Sequence, residues 1–129
     1  MQESGENYLE TIYNLIQKHG RVRSVDVAKE LGYAKPSVSR AVKILKNHGY
    51  IADVEGSYLT LTPQGEEKAK EIADKHEYIT EYLIRILHLT DDVADKDACR
   101  IEHVISPETF YEMKNAVLRH KKMFDKIDE

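Results

Sequence analysis

"VDVAKELGYAKPSVSRAVKILKNHGYI", residues 25–51, decides the fold. Ser24 can cap a short helix that Gly32 ends, because glycine takes the left-handed conformation that stops a helix without steric cost. After "GYAK" a second helix begins. Pro36 suits its first turn, Val38, Ala41, Val42 and Leu45 recur at helical spacing, and Gly49 ends it. Two short helices joined by a glycine-containing turn are the pattern of a helix-turn-helix.

Upstream, "GENYLETIYNLIQKHG" (5–20) places Tyr8, Leu9, Ile12, Leu15 and Ile16 on one helical face, with Ser4 as its expected cap. Downstream, "IADVEGSYLTLT" (51–62) has two short runs around Glu55-Gly56-Ser57 and predicts a β-hairpin. A hairpin after the helix pair makes the unit a winged helix-turn-helix, with Tyr58 and the Glu55–Ser57 turn at the wing tip.

Thr62-Pro63 then opens a long helix through "QGEEKAKEIADKHEYITEYLIRIL" (64–87), despite Gly65. Thr90 caps "DDVADKDACRIEHVI" (91–105), and Ser106-Pro107 opens "ETFYEMKNAVLRHKKMF" (108–124), before a tail expected to fray. The expected fold class is mainly α. Residues 1–62 form a winged helix-turn-helix domain and 63–129 a helical domain, with 63–75 as a linking helix.

The chain has 129 residues and a net charge of −4. From Lys18 to Asn47, however, eight basic side chains face only Asp26 and Glu30, so this segment carries +6 and the remainder −10. A basic segment inside an acidic chain points to a local anionic partner, although a solvated helical surface gives the same count. In a helix-turn-helix the second helix enters the major groove of double-stranded DNA. Its outward residues are Ala34, Lys35, Pro36, Ser37, Ser39, Arg40 and Lys43. Small residues allow close approach, serines can bond phosphates, Arg40 can fork onto guanine, and Lys43 and Lys46 can reach phosphates. A single cysteine excludes an internal disulfide and fits a cytoplasmic location. No apolar run approaches the ~20 residues needed to span a bilayer, and "MQESGENYLE" (1–10) is too polar for a secretory signal.

A second constellation lies in "ACRIEHVIS" (98–106). Cys99, Glu102 and His103 stand at i, i+3 and i+4, which places S, O and N donors on one helical face. Asn7 and Glu10 on the first helix and His76 on the long helix can complete a mixed metal site if the helices converge. Alternatively, Cys99 is a buried small hydrophobe and Glu102 and His103 a surface pair. A metalloenzyme would use similar donors, but the sequence has no nucleophile elbow, phosphate loop or paired acid–base residues, so no enzyme is expected.

These segments resemble the diphtheria-toxin-repressor family of metal-dependent transcriptional regulators. "NYLETIYNL" (7–15) looks like its first helix, residues 25–51 like its helix-turn-helix, "LTLTPQGEEKAKEIADKH" (59–76) like the wing exit and linking helix, and "DACRIEHVIS" (97–106) like its metal motif. The resemblance implies a metal site of Asn7, Cys99, Glu102 and His103, with Glu10 and His76 as further ligands in the manganese branch. Asn7 stands where the manganese type carries aspartate and the iron type methionine. Cys99 follows the iron type, and thiolate favours Fe²⁺, Co²⁺, Ni²⁺ or Zn²⁺ over Mn²⁺. The expected cellular metal is therefore Fe²⁺, followed by Mn²⁺. An ancillary site is implied less directly. Thr80 and Asp95 replace the iron type's glutamate and histidine, leaving Glu81 or Asp95 as substitutes. The SH3-like third domain of longer members is expected to be lacking.

The resemblance further implies a homodimeric repressor on a pseudo-palindromic operator, controlling iron or manganese uptake. Leu83, Ile86, Leu87, Ile101, Ile105, Phe110, Met113 and Val117 are the expected dimer core. The competing expectation is a metal-independent winged-helix regulator in which Cys99 senses redox state or simply packs.

Overall fold

A computed structural model describes residues 3–127. The order is α1 (Glu3–His19), α2 (Ser24–Leu31), α3 (Lys35–Asn47), β1 (Ile51–Val54), β2 (Tyr58–Leu61), α4 (Pro63–Arg85), α5 (Asp91–Ile101) and α6 (Pro107–Ile127). The chain divides into two compact units, Met1–Glu71 and Ile72–Glu129, with the boundary inside α4.

The first unit is the winged helix-turn-helix that the sequence predicts. Leu9, Ile12, Val22, Val27, Val38 and Leu45 are almost wholly buried. Burial of such side chains contributes about 1.5–3 kcal/mol each before entropic losses. Gly32 ends α2 at φ +70°, a left-handed conformation, and its N–H donates to Ala28 O at 2.9 Å. The wing is antiparallel, with Ile51 opposite Leu61 and Val54 opposite Tyr58. Val22 adds an isolated bridge to Leu59, so the α1–α2 connection lies beside the wing.

Some expected helix starts move. Arg23, not Ser24, caps α2: its N–H donates to Asp26 Oδ2 at 2.9 Å, and Ser24 is the first helical residue. Ser4 lies within α1, which already includes Glu3. Thr62 does cap α4, since its hydroxyl accepts the Gly65 N–H at 3.0 Å and donates to the Gly49 carbonyl. The glycine that weakens α4 on propensity is required by packing. A Cβ on Gly65 would lie 1.8 Å from the Tyr50 carbonyl oxygen.

In the second unit Ile79, Leu83, Ala94 and Ala98 form a core, with Tyr82, Ile84, Ile101, Ile105, Phe110 and Met113 packed around it. Of the expected dimer-core residues, Leu83 and Val117 are buried within the unit, Ile101, Ile105, Phe110 and Met113 are partly buried against its core, and Leu87 is 51% exposed. Apolar side chains that remain exposed include Leu89, Val93, Val104, Tyr111 and Leu118. Among the described residues no helix is long and apolar enough to cross a membrane.

Candidate metal centre and nucleic-acid interface

Thr90 starts α5 by accepting the Val93 N–H, and the helix ends at Ile101 with Glu102 as its C-cap. The "CRIEH" segment therefore straddles a helix end, and His103 sits in the turn beyond it. This placement reverses the surface-pair alternative. Cys99 is exposed, whereas the side chains of Glu102 and His103 are 0% and 3% exposed.

His76, on α4, stands between two carboxylates. Its Nδ1 is 3.0 Å from Glu102 Oε2 and its Nε2 is 2.8 Å from Asp95 Oδ1. Glu102 Oε1 lies 3.2 Å from His103 Nε2, at ion-pair distance but without hydrogen-bond alignment, and has no hydrogen-bond partner among the described residues. A carboxylate wholly removed from water is costly unless a cation meets it. A protonated imidazole or a divalent metal ion satisfies that need. The imidazole, the two carboxylates and the nearby second imidazole are a donor set that fits such an ion.

The remaining predicted residues are placed as follows. Cys99 is in the last turn of α5, at the surface. Asn7 and Glu10 are half-buried on α1, where the Asn7 carbonyl accepts the Thr11 hydroxyl at 2.9 Å. Of the two ancillary candidates, Asp95 reaches His76. Glu81 instead faces Lys121 Nζ at 2.9 Å and Arg85 Nε at 3.7 Å.

In the first unit, Ala34, Lys35, Pro36, Ser37, Ser39, Arg40 and Lys43 are all exposed, while Val38, Val42 and Leu45 bury the opposite face of α3. The first of these, Ala34, is the N-cap of the helix. Lys46 departs from expectation. Its ammonium pairs with Asp53 Oδ2 on β1 at 2.6 Å, which pins the helix end to the wing. The turn before α3 is braced by Tyr33, whose ring meets that of Tyr8 edge-on at 5.9 Å. Burial, and secondarily the neighbouring Tyr33, raises the Tyr8 phenol above its ordinary pKa.

Arg21 and Arg23 belong to the basic segment counted in the sequence, but their place beside the wing was not expected. Their guanidinium carbons lie 5.2 and 4.3 Å from the centroid of the Tyr58 ring. The signal was present as a basic–apolar–basic alternation around Val22, which is the pattern of a half-buried strand.

Comparison with known proteins agrees with both halves. Residues 1–56 match the family described as iron dependent repressor, N-terminal DNA binding domain. Residues 62–122 match iron dependent repressor, metal binding and dimerisation domain. An uncharacterised HTH-type transcriptional regulator of Methanocaldococcus jannaschii is 36% identical over 115 residues, which cover 88% of this chain and 92% of that protein. The transcriptional regulator MntR of Salmonella typhimurium is 35% identical over 104 residues, covering 81% of this chain and 66% of that one. The solved structure of the manganese regulator SloR superposes with a TM-score of 0.76 at 25% identity, over 88% of this chain and 53% of that one. The chain thus spans nearly all of the first relative, just under two thirds of the second and about half of SloR.

Proposed function

The chain belongs to the iron-dependent repressor family, and on that footing we propose that it is a metal-activated transcriptional repressor acting on an operator in double-stranded DNA. It is a regulator and not an enzyme. The observation that carries the proposal is the fully buried Glu102 carboxylate against His76, in the half that matches a metal-binding domain.

His76, Glu102 and His103 are the proposed ligands on this unit's own geometry. Asn7, Glu10 and Cys99 are proposed on their spacing in the sequence and on the resemblance. Asp95 holds the outer nitrogen of His76 and so fixes the ring's orientation, in the way carboxylates support metal-ligating imidazoles. When bound, a divalent ion supplies the positive charge that Glu102 faces. The unit's own grouped donors are nitrogen and oxygen, a set that suits Mn²⁺ as well as Fe²⁺, and Cys99 as a ligand would add the thiolate that favours Fe²⁺. The proposed ion is therefore Fe²⁺ or Mn²⁺. SloR is described as a manganese regulator.

The seven exposed residues at the start of α3 form the proposed reading surface. The domains are proposed as 1–62 for DNA binding and 63–129 for metal binding and dimerisation. A symmetric dimer would present two reading helices to a pseudo-palindromic operator. Its proposed interface uses the partly exposed Ile101, Ile105, Phe110 and Met113 together with exposed apolar residues such as Val104, Tyr111 and Leu118. The regulated genes are proposed to serve manganese or iron uptake, and the site of action is the cytoplasm. The metal-independent, thiol-sensing alternative is not favoured.

The proposal is tested by anaerobic equilibrium dialysis with Mn²⁺ and Fe²⁺, followed by elemental analysis. Stoichiometric metal in the unsubstituted protein and a large loss in Glu102→Gln are expected. Equal metal content in both proteins would remove Glu102 from the site.

A further inference from the structure

The segment Arg21-Val22-Arg23 runs beside the two-stranded wing, held to it by one isolated bridge. Leu59 N donates to Val22 O at 2.7 Å, and Val22 and Leu59 are both buried. Successive side chains of an extended segment point to opposite faces. With Val22 turned inward, Arg21 and Arg23 therefore emerge on the other face, and both converge on the ring of Tyr58.

Both arginines are exposed. The ion pairs within this unit use Lys46, Lys68 and Lys70, and neither arginine takes part in one among the described residues. Two like charges on one aromatic ring repel each other. The ring's negative face offsets part of that repulsion and orders both side chains. A guanidinium stacked on a ring keeps its N–H edge available, and that edge matches phosphate oxygens. Glu55 at the wing tip is the neighbouring acid.

We propose that Arg21 and Arg23, ordered by Tyr58, are the wing's contact with the phosphate backbone of DNA. The inference rests on the DNA-binding function proposed above. It assigns the wing a sequence-independent role distinct from that of α3. Tyr58 acts as a positioning residue.

The test is fluorescence anisotropy with Mn²⁺ under anaerobic conditions, across a range of salt, on a promoter duplex and a scrambled duplex. The proteins are the unsubstituted chain, Arg21→Gln, Arg23→Gln, the double variant, Tyr58→Ala and Tyr58→Phe. Each phosphate contact removed lowers the slope of log affinity against log salt by about 0.9. Both single arginine variants should show that loss, and the double variant nearly twice as much, equally on both duplexes. Tyr58→Ala should lose part of the slope, and Tyr58→Phe should keep it. Circular dichroism melting confirms that each variant is folded.

Unchanged slopes in folded arginine variants would overturn the proposal, as would a loss confined to one duplex, which means base reading. If the unsubstituted protein binds neither duplex, the DNA-binding function fails as well. If it binds and only the variants' slopes fail to move, the wing assignment alone falls.

Discussion

His76 Nδ1 lies 3.0 Å from Glu102 Oε2, and the carboxylate it faces has no exposure to water. One residue comes from the middle of α4 and the other caps the end of α5. The contact joins two helices of the second unit through an imidazole and a carboxylate, the two groups proposed as metal ligands. The other oxygen of Glu102 has no hydrogen bond among the described residues and lies 3.2 Å from His103 Nε2.

Glu102→Gln keeps the shape of the side chain and removes its charge. Metal affinity is expected to fall by at least 10- to 100-fold, the range seen even for residues that only support ligands. Competition with a fluorescent chelator measures it. An affinity within twofold of the unsubstituted protein would exclude Glu102 as a ligand.

Asp95→Asn separates an orienting residue from a ligand. The Asp95 side chain is 69% exposed and touches the outer nitrogen of His76. The expected loss of metal affinity is about tenfold with unchanged stoichiometry. A drop in the number of ions bound per chain would instead make Asp95 a ligand.

Gly65→Ala tests whether packing overrides propensity. In an open helix interior this change stabilises by roughly 1 kcal/mol. Here the added carbon meets the Tyr50 carbonyl, and a destabilisation of about 1–3 kcal/mol is expected. Urea unfolding gives the sign directly, and a gain in stability would contradict the close approach of α4 to Tyr50.

Arg40 and Lys46 lie on the same helix but have different predicted roles. Arg40→Ala should cost about 1–3 kcal/mol of binding on the operator and much less on a scrambled duplex. Lys46 is engaged with Asp53, so Lys46→Ala should cost less than about 1 kcal/mol of stability. DNA affinity should barely change in that variant. The reverse ranking on DNA would mean that the Lys46–Asp53 pair opens when DNA binds.

Much of this was legible in the sequence because it is local. Gly32, Gly49, Pro36, Thr62-Pro63 and Thr90 punctuate the helices, and period-2 runs around Glu55–Ser57 mark the wing. The grouping of His76 with a "CRIEH" residue was implied by the resemblance. What failed to show was tertiary. Helical spacing makes Cys99 and Glu102 neighbours but cannot reveal that one faces water and the other is sealed. Periodicity likewise turns Ile101, Ile105 and Phe110 inward, but does not show how much of each their own chain covers and how much is left for a second copy. The reason for Gly65 lies in the carbonyl of Tyr50, fifteen residues earlier, and no local pattern records it.

The most direct measurement of the central claim is anaerobic fluorescence anisotropy on a duplex from the gene's own promoter. It compares chelator with Mn²⁺, Fe²⁺, Co²⁺ and Zn²⁺ for the unsubstituted protein and for Glu102→Gln. A coupling of about 2 kcal/mol would make the metal-loaded protein bind ~30-fold more tightly than the chelated one, and Glu102→Gln should abolish the difference. Equal affinity in chelator and in every metal would contradict a metal-activated repressor.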